Sequence, residues 1–499
     1  MHSFSDYLLL LFSTVMLGLV TWFVFTAVKD KKQKHHAILR TYPIIGRIRY
    51  AMEKLGRFLR PWILENDNES RPFSRQMRSQ VYRMAKGVKN VLSFGSTANP
   101  KTEIFVNSMF PLDSHEMDKT RGLAIGKDCE MPFIQRKVFN ISGMSYGALS
   151  GNAIRALSIG AANAGITFNT GEGGKPSKYH RTNEMMDENT PGGLVLQIGT
   201  ANFGYRDENG RLDYNELSKL KTDSKIRYIQ IKNSQGAKPG KGGILLASKV
   251  TQEIAELRGV PEGKDCYSPS RNPDFGTPVD LLEGIKKVKQ ATGKPVGIKL
   301  AMAKVDELRS VLQKGIHLDL ASGDRESHLP SVITIDGGDG GTGAAPALFM
   351  ESLALPVRDI LKEVNDMLVE LGIRDKVALV ASGKLVTAHE AAIAFAMGAD
   401  WVESARGFMM SIGCINALDC AKGTCKVGIA TQDKRLERAL VPDVKAKNVF
   451  NYANTMESEL FELCAACGVT HPRDLTLNNL VVPHKFESES VIARFKDVA

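Results

Sequence analysis

Between residues 138 and 405 the chain carries eight short β-rich runs, separated by helical or turn-rich stretches. They are VFNIS (138–142), ITFNT (166–170), LVLQIG (194–199), YIQIK (228–232), PVGIKL (295–300), SVITID (331–336), VALVAS (377–382) and WVESA (401–405). Most are apolar at successive positions, the pattern of strands buried on both faces. Helical patterns follow most of them, such as ALSGNAIRALSIGAANA after the first and AHEAAIAFAMG after the seventh. Strands that alternate with helices pair in parallel, and eight such units predict a closed (β/α)8 barrel, with an open doubly wound sheet as the runner-up. In a barrel the working side chains sit on the loops leaving the carboxyl ends of the strands.

Those loops are rich in glycine: GMSYGALS (143–150), NTGEGGKPS (169–177), QGAKPGKGG (235–243), DGGDGGTGAAP (336–346), SGKL (382–385) and ARG (405–407). Glycine lets a backbone approach a ligand closely and lets N–H groups cradle phosphate. Glycine-rich turns as mere structure explain one or two such loops, not so many at one end of the strands. The run GDGGTG (338–343) matches a dinucleotide-binding pattern formally. It lacks the Rossmann context that gives that pattern its meaning, and we do not read it so.

Three of the seven cysteines, Cys414, Cys420 and Cys425, fall within GCINALDCAKGTCKVGIATQ at spacing C-x5-C-x4-C. Thiolates this close converge on a soft metal centre. Three of them with no histidine in the run suit a [3Fe–4S] cluster better than zinc, which wants a fourth ligand. Three small buried hydrophobes are the alternative. Cys464 and Cys467, in ELCAACG, read as buried positions at a helix end capped by Gly468. Cys129 and Cys266 are isolated and receive no role.

Residues 7–28 contain no charged side chain, enough for one membrane-spanning helix, and are followed by KDKKQKHH. The charge pattern and the missing cleavage site argue against a signal peptide. The positive-inside rule places the amino terminus outside and the rest in the cytoplasm of a single-pass membrane protein. The net charge of +10 is concentrated: residues 29–90 hold 16 Lys/Arg against 5 Asp/Glu, Asp6 contributes one negative charge, and residues 91–499 are neutral. A nucleic-acid partner needs a basic folded domain and is not expected. The excess instead borders the membrane, where anionic head groups lie. The stretch YPIIGRIRYAMEKLGRFLRPWIL suits an interfacial helix, or equally an ordinary helix packed on the domain. The expected organisation is a membrane helix (7–28), a basic helical extension (29–129), the barrel with its cysteine loop (130–440) and a helical C-terminal extension (441–499).

Over about residues 130–440 the runs MSYGALS, NTGEGG, QGAKPGKGG, DGGDGGTGAAP and GCINALDCAKGTCKVGIATQ resemble, in order and spacing, the synthase domain of glutamate synthase, a flavin enzyme family. The chain looks like the short, membrane-anchored members of that family. The resemblance implies FMN in the barrel and a [3Fe–4S] cluster that passes it electrons, and reduction of 2-iminoglutarate made from 2-oxoglutarate and ammonia. It implies that Glu172 and Lys238 act on the substrate and that Arg258 holds a substrate carboxylate. Met144, Ser145, Gln197, Lys299, Gly340, Gly341 and Gly343 would line the flavin. Ser382, Gly383, Arg406 and Gly407 would sit near its phosphate. The chemistry agrees: an imine accepts hydride when protonated, and a carboxylic acid at Glu172 or an ammonium at Lys238 is a source of that proton. A guanidinium clamps a carboxylate, and a cation such as Lys299 favours an anionic reduced flavin. The plain alternatives are surface charges for Glu172 and Lys238, and a solvated helix end for Arg258.

The chain departs from the long enzyme. It begins Met1-His2-Ser3 rather than with a nucleophilic cysteine, and PEGKDCYSPSRNPDF after Arg258 lacks the family's histidine-containing loop. We therefore expect no glutaminase step, with ammonia arriving free or from a partner glutaminase, and electrons from a ferredoxin or a partner reductase. Two other functions stay open: an FMN oxidoreductase on another 2-oxo acid or amine, and a membrane-tethered electron-transfer subunit.

Overall fold

The eight apolar runs become eight parallel strands that close on themselves. In chain order they are β1 (Phe139–Ile141), β2 (Thr167–Asn169), β3 (Gly193–Ile198), β4 (Ile226–Lys232), β5 (Val296–Leu300), β6 (Val332–Asp336), β7 (Ala378–Ser382) and β8 (Trp401–Ser404). β8 closes the barrel against β1, with Val402 opposite Phe139 and Ser404 opposite Ile141. The computed structural model describes residues 4–68, 70–89, 91, 103–180, 192–323 and 325–481.

The chain divides into two compact units, Met1–Ser70 and Arg71–Ala499. The first holds α1 (Phe4–Lys32) and α2 (Gly46–Leu59). α1 has 29 residues, or about 44 Å at 1.5 Å per residue, and is long and apolar enough to cross a membrane. The second unit holds the barrel. Its inside is graded along the axis. At the amino end Ile125, Val195, Tyr228, Val332, Val380 and Trp401 form an apolar layer. Phe133 of the hairpin pair Leu123–Ile125 and Phe133–Gln135 stacks on Tyr228 at 5.7 Å and plugs that end. Towards the carboxyl end the buried side chains turn polar: Asn169, Gln197, Gln230, Lys299, Thr334 and Asp336. A dry plug at one end and polar groups at the other leave only the carboxyl end suited to chemistry.

One boundary differs from that expected. The stretch 29–129 is not one extension, because the unit boundary falls at residue 70. α3 (Arg75–Ala85) packs on the barrel unit, where Asn451 Nδ2 donates to Ala85 O at 3.1 Å. The segment expected as a C-terminal helical extension (441–499) supplies a long helix that packs on the barrel. α4 (Gly151–Ala164) is the first barrel helix, and α5 (Pro442–Cys467) lies against it so closely that a Cβ on Gly160 would approach Val449 Cβ to 2.4 Å. Tyr452 of α5 meets Phe139 of β1 edge-on at 5.5 Å. A short helix, Arg406–Ser411, follows β8 directly, and the cysteine loop separates it from α5. Residues 482–499 of the expected extension lie outside the described residues. Gly468 caps α5 at φ +75; Cys464 is buried in the core as expected, while Cys467, also expected to be buried, is half-buried.

Candidate functional site

The polar end of the barrel is a connected network. Gln230 on β4 accepts from Asn169 Nδ2 at 2.8 Å and from Gln197 Nε2 at 2.7 Å, and donates to Thr334 Oγ1 at 3.0 Å. These residues alternate inward along their strands, as period-2 geometry requires. Gly143 stands in front of them: a Cβ there would lie 3.1 Å from both Asn169 Oδ1 and Gln197 Nε2. Beside it, Lys299 Nζ donates to Ser142 Oγ at 3.3 Å and pairs with Asp336 Oδ1 at 3.4 Å. Ser382 Oγ donates to the same Asp336 oxygen at 2.9 Å. The other oxygen, Asp336 Oδ2, accepts Gly236 N–H at 2.8 Å and so ties QGAKPGKGG to β6. Met144 is buried, with its N–H on Asn169 O at 3.3 Å, and the Ser145 backbone packs on Gly171.

Next to this network the structure gathers four charges. Glu172 Oε2 pairs with Lys232 Nζ at 3.0 Å. A Cβ on Gly243 would lie 3.5 Å from Glu172 Oε1 and 3.8 Å from Lys238 Nζ, so carboxylate and ammonium flank one space. Lys238 is buried, and so is Arg258 at the end of the helix Gln252–Arg258. Arg258 Nη2 donates to Tyr146 O at 3.3 Å, its guanidinium lies 5.3 Å from the Phe203 ring centroid, and its Nε has no partner. A solvated helix end is thereby ruled out. Burial raises the Glu172 carboxyl, but Lys232, then Lys238 and Arg258, outweigh it and hold the group below its ordinary value. Burial lowers the Lys238 ammonium, against Glu172, with Lys232 and Lys241 adding to the fall. The neighbouring cations thus favour the ionised form of Glu172, while burial makes the Lys238 ammonium easier to deprotonate than an ordinary lysine.

Of the residues expected near the phosphate, Ser382 belongs to the Asp336 network, while Gly383 and Arg406 meet Asp339 and Gly341 of the loop expected to line the flavin. Arg406 is half-buried, its Nη2 donating to Asp339 O at 2.9 Å, and a Cβ on Gly341 would strike it at 2.9 Å. A Cβ on Gly383 would meet Asp339 Oδ1 at 3.0 Å, and Gly340 donates its N–H to Gly337 O at 2.7 Å. Gly343 has open space around it. Gly407 has a packing reason to be glycine: a Cβ would lie 2.3 Å from Tyr452 Oη, and its N–H goes to Ser404 Oγ at 3.3 Å. Lys384, which sequence reasoning missed, follows Gly383 at φ +49. Burial lowers its ammonium, with Asp339, Arg406 and Arg71 as its charged neighbours.

Cys414, Cys420 and Cys425 are free and half-buried. Burial pushes the Cys414 thiol up to about 12, with Cys420 and Cys425 adding to the rise, and Cys420 rises by burial and by Cys425. Thiols that repel one another as anions fit a cationic metal centre that takes up the charge. Lys249 Nζ donates to Cys420 O at 2.9 Å and Tyr82 Oη to Cys414 O at 2.6 Å, holding the loop on the barrel. Among the described residues the one trio of metal-type ligand atoms within 4.8 Å of one another is the exposed Asp113, His115 and Glu116. The three thiols are thus spread wider than the ligand set of a single ion.

Lys232, Gln230, Asp336 and Glu403 were also missed, although the first three occupy inward positions at strand ends and alternation along YIQIK and SVITID marks them. Glu403 on β8 is 1% exposed, and neither carboxyl oxygen has a hydrogen-bond partner. Burial holds it above the ordinary glutamate range, although the Lys299 charge pulls the other way. The folded state thus keeps a proton that the unfolded chain releases, and stability falls as pH rises from the ordinary carboxyl range through the folded value. Glu403→Gln removes that slope. Its Tm should gain on the parent as pH rises above the ordinary carboxyl range, and a difference independent of pH would show that the fold does not raise the Glu403 carboxyl.

A closed parallel barrel whose carboxyl-end loops converge buried cations, carboxylates and close glycine approaches is the (β/α)8 enzyme type, with its site at that end. The family described as the conserved region in glutamate synthase matches residues 96–470. The chain belongs to the glutamate synthase family. It is similar to the glutamate synthase large subunit-like protein YerD of Bacillus subtilis (strain 168), 35% identical over 95% of this chain and 94% of that one. It is 33% identical to the archaeal-type glutamate synthase [NADPH] of Thermotoga maritima over 68% of this chain, and the match spans 61% of that longer protein. The solved flavin-binding domain of baker's yeast flavocytochrome b2 superposes with a TM-score of 0.46 at 10% identity, over 94% of this chain and 95% of that.

Proposed function

We propose that this chain is an oxidoreductase that makes glutamate by reductive amination of 2-oxoglutarate through 2-iminoglutarate. Bound FMN would supply the hydride, and a [3Fe–4S] cluster on Cys414, Cys420 and Cys425 the electrons. The observation that carries the reading is the convergence of Glu172, Lys232, Lys238 and Arg258 beside the Lys299–Asp336 pair. Arg258, with its unpartnered Nε, takes a substrate carboxylate. Lys238, acidified by burial, delivers the proton that activates the imine nitrogen. Glu172 stays ionised and steadies the iminium charge. Met144, Ser145, Gln197, Lys299 and the loop with Gly340, Gly341 and Gly343 hold the flavin ring side. Ser382, Gly383, Arg406 and Gly407 lie towards its phosphate.

α1 anchors the protein with its amino terminus outside and the barrel in the cytoplasm. Ammonia is free or comes from a partner glutaminase, and electrons come from a ferredoxin or a partner reductase. The test is anaerobic purification, flavin and iron analysis, and turnover with 2-oxoglutarate, ammonia and an artificial reductant. Flavin and iron present without glutamate formation would favour another 2-oxo acid or amine, or an electron-transfer subunit. Absence of flavin would sink the proposal.

A further inference from the structure

Asp30 lies just past the apolar run of α1 and is only 2% exposed. Its carboxylate accepts the N–H of Ile44 at 3.0 Å, Arg47 Nε at 2.8 Å and Arg47 Nη2 at 2.5 Å. Ile44 sits at φ +66, a costly conformation for a β-branched residue. Two residues on, a Cβ at Gly46 would lie 3.1 Å from Ile38 O. The chain therefore reverses between α1 and α2 in a strained, close turn, and Asp30 is the group that holds it shut.

α2 leaves that turn with Ile48, Met52 and Leu55 on one face, at 63%, 53% and 50% exposure. Trp62, Ile63 and Leu64 follow, also exposed. A contiguous apolar stripe of this kind on a water-facing surface marks an interaction site. Its surroundings are basic: residues 29–64 hold ten Lys/Arg against Asp30 and Glu53. The stripe also begins at the foot of the one helix, among the described residues, that can cross a membrane.

We propose that residues 42–64 form a locked elbow lying in the head-group layer of an anionic bilayer. The apolar stripe sinks to the acyl boundary, and the flanking Lys and Arg side chains meet anionic phospholipid. Asp30 turns a flexible joint into a fixed one, so α2 leaves α1 in the direction that keeps its stripe on the lipid. The inference rests on the reading of α1 as a membrane span, and the two can be separated.

The chain has three tryptophans, Trp22 in α1, Trp62 in the elbow and Trp401 buried in the barrel. The full chain is placed in vesicles of phosphatidylcholine alone or with added phosphatidylglycerol, carrying bromine on the lipid either near the head group or near the chain end. Subtracting the signal of Trp62→Phe or Trp22→Phe isolates each reporter. We expect Trp62 to be quenched by shallow bromine, strongly only when phosphatidylglycerol is present, and Trp22 by deep bromine in both vesicles. Ile48→Glu with Leu55→Glu should abolish the Trp62 quenching and leave that of Trp22 intact. Asp30→Asn should weaken the Trp62 quenching alone. Trp62 unquenched, or quenched equally in both lipids, overturns the elbow while a quenched Trp22 keeps the anchor. Trp62 quenched beside an unquenched Trp22 keeps the surface and overturns the span. Lipid-independent burial of Trp62 with self-association would assign the stripe to a second copy of the chain and overturn the lipid.

Discussion

Lys238→Met and Glu172→Gln should each cut the turnover of 2-oxoglutarate with ammonia by ~10²-fold or more, with flavin content and fold unchanged. Both residues flank the space in front of Gly243 and neither touches the Lys299–Asp336 network, so the loss should fall on kcat rather than on flavin binding. The two variants should differ in their pH dependence. Burial lowers the Lys238 ammonium, so the parent should lose activity as pH rises through a value below the usual lysine range. That alkaline limb should disappear in Lys238→Met and survive in Glu172→Gln. Removing both residues should cost little more than removing one, because groups that act as a unit on one iminium centre are not additive. A Lys238→Met enzyme that keeps the parent's rate and alkaline limb would remove the proton donor from the proposal and strengthen the electron-relay alternative.

Replacing Cys414, Cys420 and Cys425 together with serine should remove the iron completely while leaving most of the FMN in place. The three thiols lie on a loop pinned by Lys249 and Tyr82, not on the strands that form the mouth. A hard hydroxyl is a poor substitute for a thiolate at iron. Iron analysis beside flavin absorbance reads the two sites independently. Full retention of iron in the triple variant would return these cysteines to the role of core hydrophobes. Simultaneous loss of flavin would mean that the loop supports the barrel wall rather than a separate centre.

The barrel could be read from the sequence because its signal is local and repeated. Each strand is a short apolar run, and burial on both faces leaves the same mark in each. The motif loops could be placed for a related reason, since chain order alone puts them after the strands. Grouping them was beyond the sequence. The Gly236 N–H bond to Asp336 Oδ2 joins loops a hundred residues apart. Nothing local in NTGEGG announces that Lys232 will meet Glu172. The packing of α5 on α4 was beyond the sequence too, because a helix pattern records only its own amphipathic face, not the helix it will pack on.

By itself the sequence determined the eight-stranded parallel architecture, the end of the barrel at which chemistry is possible, the clustering of three cysteines and the apolar span with its basic flank. These follow from periodicity, composition and spacing along the chain. The tertiary structure decided the cations that gather around Glu172, the burial of Arg258, the burial of Glu403, the packing of α5 on α4 and the contact of Asp30 with Ile44 and Arg47. Each of these depends on desolvation and on charges brought close from distant segments. Electrostatic energy varies with separation and burial in space, and neither is written in the distance along a chain.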